Sequence, residues 1–254
     1  RTDGYMEPAE RVFARDFSAA RHTADPGDGR GDSYVVTPGA AWCRRLFIVG
    51  ALTGRRGSGD VMQARLADPT GAFLISIDWQ SPDAVETLGY IEPPAFVAVT
   101  GRPVLTGTGI TTVEAEALSV VTRTARDIWV LATAGATLER LEALRDGRGE
   151  RAAAARRLYG TTDEDIREMA AMVCTALATV RPDTAIGEVL PLVARDLLLD
   201  ALEGEGGARG IGLEDAVAAG VRSGLSAREA RAALEELLAA GECYRPSSGM
   251  IKLI

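Results

Sequence analysis

Histidine and lysine are almost missing from this 254-residue chain: His22 is the only histidine and Lys252 the only lysine. One histidine leaves Ser-His-Asp, Cys-His and multi-histidine metal chemistry with almost nothing to work with, so an enzyme is not expected and no cofactor is implied. The three cysteines, Cys43, Cys174 and Cys243, lie far apart with no CxxC pair. They read as small buried apolar residues of a reducing cytosol, not as a disulfide framework. Aromatic residues make up only 5% of the chain, few for a surface built on stacking. No apolar run approaches the roughly 18–20 residues of a membrane span. No signal peptide is visible, and a first residue of Arg1 leaves room for a natural start upstream. A cytoplasmic location is the expectation.

What is present is enough chain for two domains, with 46% hydrophobic residues to fill their cores. The wealth of Ala, Gly and Arg reads as the base composition of a GC-rich genome. The net charge is −8, and the acidity is concentrated: residues 161–254 carry 16 acidic and 9 basic groups, whereas residues 124–160 carry 7 basic and 5 acidic. An acidic face repels phosphate, so the last third is not expected to grip nucleic acid unaided.

Residues 1–41 read as an arm packing on the strand-rich unit C-terminal to it, with strand-like anchors at Val12-Phe13 and Tyr34-Val35-Val36. The Asp- and Gly-rich stretch 25–32 lacks the spacing of an EF-hand loop and reads as a solvated loop. Residues 42–123 hold five strand signals, at 46–53, 61–67, 73–77, 96–102 and 110–121. Met62, Ala64 and Leu66 share one face; Phe73, Ile75 and Ile77 another; Val113, Ala115 and Ala117 a third. Asp68-Pro-Thr-Gly71 is a tight turn joining the second and third. Ser81 and Pro82 open a helix over 81–90 between the third and fourth. Three strands, a helix and two strands are the element order of a small Greek-key OB barrel. Gly50 to Gly57 lacks the Gly-Lys-Ser/Thr ending of a phosphate loop and reads as strand and turn.

Residues 124–185 turn helical, with Ile128, Leu131, Ala134, Leu138, Leu141 and Leu144 on one face and a capping box at Thr162 and Asp165. Residues 186–254 give three helices, at 190–202, 213–221 and 227–240, then two short strands around 243–245 and 250–254. Ser226 and Glu229 form a capping box, and Gly241 stops the third helix. That order is a winged helix, and the whole chain is α+β and multidomain. Its third helix carries Glu229, Glu235 and Glu236 against Arg228 and Arg231, which favours protein contact over reading a duplex.

An OB barrel holds single strands by stacking bases on aromatics and tracking phosphates with cations. The candidates are Trp79 and Phe96 for stacking and Arg44, Arg55, Arg56, Arg65 and Arg102 for phosphate. Phe96 also reads as core, and Arg55 and Arg56 as solvated turn residues. Strand parity places Trp79 with Phe73, Ile75 and Ile77, so an outward Trp79 requires a bulge or strand end near Asp78.

With these pieces in order, the chain resembles the replication protein A superfamily, and among it the archaeal replication protein A-associated OB-fold proteins. The carriers are Glu7–Ala14, Tyr34–Pro38, Ala67–Gly71, Ile91–Val99 leading to Gly101-Arg102-Pro103, and Arg126–Trp129. The resemblance implies a single-stranded DNA-binding subunit of a hetero-oligomer in replication and repair. It implies that the helix carrying Trp129, Leu131, Leu138 and Leu141 packs on a replication protein A-type partner subunit, and that the winged helix recruits replication or repair proteins. Trp79 is similar to a base-stacking tryptophan of related barrels. Their second stacking aromatic has no counterpart, since Leu105 and Thr106 stand in its place. Other readings of the same elements are an assembly subunit using its barrel only as a dimerisation scaffold, and a winged-helix transcription regulator.

Overall fold

The computed structural model describes residues 8–25, 33–58, 61–184, 193–205 and 210–254. The solvated loop expected at 25–32 therefore falls, from residue 26 on, outside the described residues. Helix α1 (Ala14–Ser18) is followed by β1 (His22–Ala24), β2 (Tyr34–Val36) and β3 (Trp42–Cys43), which pair in that order as an antiparallel sheet. Trp42 and Cys43 thus belong to the arm's sheet, and the barrel begins at Leu46.

Five strands then close on one another: β4 (Leu46–Ser58), β5 (Val61–Asp68), β6 (Gly71–Ile77), β7 (Ala95–Leu105) and β8 (Thr111–Val120), with α2 (Pro82–Tyr90) between β6 and β7. The closed order is β4-β5-β6-β8-β7, antiparallel except where β6 meets β8 in parallel. This is the OB barrel order. Leu46, Ile48, Leu52, Leu66, Phe73, Ile75, Ile77, Val97, Val99 and Val113 fill it. β4 serves two neighbours: its first half pairs with β7 and its second with β5, bent by a register slip between Leu52 and Gly54.

Alternation along β8 breaks where a second slip intervenes. Thr100 pairs with Ala117 but Gly101 with Ala115, leaving Glu116 as the extra residue. Beyond it Leu118 turns inward, and Ala117, expected with Val113 and Ala115, is exposed. Gly101 is the partner that permits this approach, because a Cβ there would lie 2.3 Å from the Glu114 carbonyl oxygen.

Three helices follow, α3 (Arg123–Asp146), α4 (Glu150–Tyr159) and α5 (Asp163–Leu177). Thr122 caps α3 by accepting from the Ala125 N–H, and Gly147 ends it at φ 65°. The Thr162–Asp165 capping box opens α5 as expected, whereas α4 was not anticipated. Cys174 is exposed on α5, not buried; Cys43 and Cys243 are buried. The last elements are α6 (Ala194–Glu205), β9 (Ile211–Gly212), α7 (Leu213–Arg222), α8 (Ala227–Ala239), β10 (Cys243–Tyr244) and β11 (Met250–Leu253), with sheet order β10-β11-β9. The start expected for α6 at 190 lies outside the described residues. One cluster of buried apolar side chains runs from Val12 through the barrel to Leu237 and Ile251, so the terminal unit shares a core with the barrel. Among the described residues, no helix is long and apolar enough to cross a membrane.

The turn that joins β5 and β6 is occupied by the arm. Asp68 Oδ1 accepts from the N–H groups of Thr70 (2.7 Å) and Gly71 (2.9 Å). Asp68 Oδ2 accepts from the Ala14 N–H (2.7 Å), and Thr70 Oγ1 from the Arg15 N–H (3.1 Å). The N-cap of α1 is Phe13, which has no side-chain acceptor, so the hairpin supplies the cap from across the chain. Burial pushes the Asp68 carboxyl up against the pull of these donors. Further along the arm, Asp16 accepts from Thr37 Oγ1 and the Gly39 N–H, each at 2.8 Å. Glu10, not the expected Val12-Phe13, pairs with the barrel: it bridges to Leu46 in parallel, while Val12 and Phe13 go into the core.

Asp68→Ala removes a tertiary helix cap and the turn's internal acceptor together. It is expected to cost about 2 kcal/mol in urea unfolding and to open the arm to limited proteolysis. Gly101→Ala is expected to cost about 1–3 kcal/mol by overpacking at the bulge, read as a lowered urea midpoint with an unchanged m-value.

Candidate nucleic-acid interface

Outward residues of three adjacent strands make a groove on the barrel's face. On β5, Met62 and Leu66 point in, so Gln63 and Arg65 point out; on β6, Phe73, Ile75 and Ile77 point in, so Leu74 and Ser76 point out. Register sets them side by side, with Arg56 opposite Gln63, Gln63 opposite Ser76, and Arg65 opposite Leu74. The resulting groove has a volume of about 460 Å³ and is completed by Gly54, Arg55, Ala64, Ile75 and Thr112. Leu74, 47% exposed, gives it an apolar patch between cations. Arg56 Nε donates to Gln63 Oε1 at 2.7 Å, which holds the guanidinium along the wall. Arg65 is exposed and forms no ion pair among the described residues.

Arg55 lines the same groove but its guanidinium is otherwise engaged. Nη1 donates to the carbonyls of Leu88 (2.8 Å) and Gly89 (2.7 Å), and Nη2 to Glu92 Oε1 (3.1 Å). These carbonyls lie in the last turn of α2; Leu88 also accepts from the Ile91 N–H at 3.2 Å, and Arg55 adds a cation to that end of the helix. As placed here its guanidinium holds α2 and is not open to the groove, unlike the solvated turn residue it was also expected to be.

The remaining candidates scatter. Arg102 is exposed on β7 and faces Glu114 (3.7 Å) and Glu116 (3.8 Å), away from the groove lining. Arg44 precedes the barrel, with its guanidinium over the Tyr34 ring at 4.2 Å. Phe96 is half-buried, and the Arg123 guanidinium lies 5.8 Å from its ring centroid. Trp79 is 68% exposed. The reason is the strand end: β6 stops at Ile77, and Asp78 starts a turn by accepting from the Gln80 N–H at its side chain and the Ser81 N–H at its carbonyl. That turn frees Trp79 from strand parity, although it stands outside the groove lining. At the hairpin tip, 68–71, the side-chain acceptors of Asp68 and Thr70 are taken by the N–H groups of α1.

Of the four residues expected on a partner subunit, two are spent inside the chain. Trp129 is 2% exposed, donates from Nε1 to the Phe47 carbonyl at 2.9 Å, and meets the Phe13 ring edge-on at 5.8 Å. Leu141 is buried in a second core with Tyr34, Trp42, Leu144 and Ile166. Leu131 is half-buried and Leu138 is exposed. Sequence reasoning overlooked Leu74 and Thr112, although the β5–β6 alternation already sets Leu74 outward. Among the described residues, no group of three His, Cys, Asp or Glu side chains is placed to hold a metal.

No family model matches the chain. No curated protein matches it either. Solved structures share parts of its fold. A chain from a replication protein A heterotrimer bound to ssDNA is 16% identical, over 53% of this chain and 98% of its own, with a TM-score of 0.41. A chain of the Stn1–Ten1 complex of S. pombe is 14% identical over 48% of this chain and 85% of its own, with a TM-score of 0.39. Asparaginyl-tRNA synthetase from Pyrococcus horikoshii is 13% identical over 45% of this chain and 24% of its own, with a TM-score of 0.33. The barrel assignment stands on strand order and does not depend on these likenesses.

The two arginine roles separate experimentally. Arg55→Ala uncaps α2 and is expected to lower stability by about 1–2 kcal/mol. Arg65→Ala, at an exposed site, is expected to stay within about 0.5 kcal/mol of the parent in the same urea titration.

Proposed function

We propose that this chain is a non-catalytic subunit of a complex that binds single-stranded DNA in replication or repair, at a cytoplasmic location and of the archaeal replication protein A-associated kind. The observation that carries the reading is the groove itself: Arg56 and Arg65 flank the exposed Leu74 across three strands of an OB barrel. Cations spaced along an apolar floor suit a strand whose phosphates run outside and whose bases lie flat. The exposed Trp79 adds a further stacking face beyond the groove. The only histidine, His22, packs edge-on against Tyr159 at 4.9 Å, which supports a structural and not a catalytic place for it.

The terminal elements, in the order α6-β9-α7-α8-β10-β11 with a three-stranded sheet, are read as a winged helix serving protein contact. Its third helix is the one that would enter a duplex. Here the N–H groups of Ala227 and Arg228 are taken by Thr87 Oγ1 and Asp83 Oδ1, each at 2.9 Å, and Arg231 by Glu86 at 2.6 Å. With that end of the helix covered, the transcription-regulator reading loses its support. A partner subunit is assigned to the outer face of α3 around Leu131 and Leu138.

Fluorescence anisotropy with labelled oligo-dT at low salt tests the reading. Wild type is expected to bind, and Arg56→Ala with Arg65→Ala to weaken binding and flatten the slope of log K against log salt by about 1.4, at about 0.7 per lost phosphate contact. Trp79→Ala is expected to weaken binding by about 1–3 kcal/mol. Absence of wild-type binding, both alone and with a partner subunit, would leave the barrel as a scaffold only.

A further inference from the structure

Helix α2 is held from two sides by groups that belong to different parts of the molecule. On one side Arg55, a residue of the groove, caps its last carbonyls at Leu88 and Gly89. On the other, α2 holds the terminal unit: Asp83 and Thr87 cap α8, Glu86 pairs with Arg231, and the Tyr90 hydroxyl bonds Glu214 Oε2 and accepts from Arg231 Nη2 at 3.1 Å. Tyr90 directly follows Gly89, so the carbonyl that Arg55 holds and the ring that anchors α7 and α8 belong to consecutive residues. The Arg55 side chain is 23% exposed and is therefore within reach of a ligand in the groove.

We propose that a single strand in the groove and docking of the terminal unit on α2 oppose one another through Arg55. The inference rests on the groove being the DNA site. A phosphate is a stronger acceptor for a guanidinium than a neutral carbonyl is, and the one charged partner of Arg55, Glu92, is 84% exposed, so its hold is weakened by solvent. A phosphate in the groove therefore draws Arg55 from Leu88 and Gly89 and removes the cation from the negative end of α2. The last turn of α2 then keeps the Ile91 N–H on Leu88 but loses its cation and the donor on Gly89, just where Tyr90 is positioned, and the contacts to Glu214 and Arg231 weaken. By reciprocity, a chain whose terminal unit is already loosened offers Arg55 to DNA more readily. The groups that docking engages, Arg231 and the first N–H groups of α8, become free for a protein partner only when DNA is bound.

Two measurements decide it. Amide hydrogen exchange of wild-type protein follows α8 with and without saturating oligo-dT, and the first turn of α8 is expected to exchange about five-fold faster when DNA is bound. In anisotropy, Arg231→Glu, distant from the groove, is expected to bind oligo-dT about five-fold tighter than wild type. That gain should vanish when Arg231→Glu is made in an Arg55→Gln background, which tests the route as well as the coupling. Oligo-dT binding with unchanged α8 exchange overturns the linkage and leaves the groove standing. Loss of binding in wild type overturns the groove and the linkage with it. Should Arg231→Glu unfold the terminal unit, seen as lost protection at Leu198 and Leu234, the wild-type exchange experiment still decides.

Discussion

Barrel closure through a parallel contact is the constraint on which the rest of this molecule depends. β6 and β8 meet only at Ile75–Val113 and Ser76–Glu114. Parallel neighbours cannot be joined by a tight turn. The chain must leave β6, cross, add β7 and return, and α2 travels in that crossing with Leu88 buried at 1% exposure in the shared core. Once α2 is fixed there, its outward side becomes a platform, and the terminal unit uses it. The same closure leaves the outer faces of β5 and β6 uncovered, which is where the groove lies.

Two carboxylates order the arm: Asp68 of the hairpin ties it to the barrel, and Asp16 ties α1 to the turn between β2 and β3. Asp16 and Asp68 each accept from several donors, and burial pushes both carboxyls up despite those donors. An ionised carboxylate taken from water is costly unless its acceptor capacity is used. Here backbone N–H groups of the arm and of the hairpin use it. The arrangement makes α1, a helix too short to stand alone, part of the barrel wall.

The barrel was legible because its strands alternate and its turns carry Asp, Pro and Gly where reversal needs them. The terminal unit was legible through its capping residues, Ser226 and Glu229 above all. Helix α4 was not, because Ala152 to Ala155 form a helix through propensity and not through an apolar stripe. β9 escaped because two residues carry no period. Periodicity put Ala134, Leu141 and Leu144 on the buried face of α3 but set the exposed Leu138 beside them, and it does not say whose surface covers such a face; the chain's own arm and α4 cover Leu141, and Phe13 of the arm packs on Trp129. Parity failed at Ala117 for a different reason, since a single extra residue reverses every side chain beyond it.

Net charge is a poor guide to what the groove can hold. The chain carries −8 overall, but charges beyond about 8–10 Å are largely screened at physiological ionic strength. A phosphate in the groove therefore senses Arg56 and Arg65 first, and the acidic last third only weakly. Part of that third's basic charge is spent internally, because Arg231 pairs with Glu86 of α2 at 2.6 Å. The acidic residues left on α8, Glu235 and Glu236, are exposed. One chain thus presents a local cationic groove and, apart from it, the exposed acidic residues of α8.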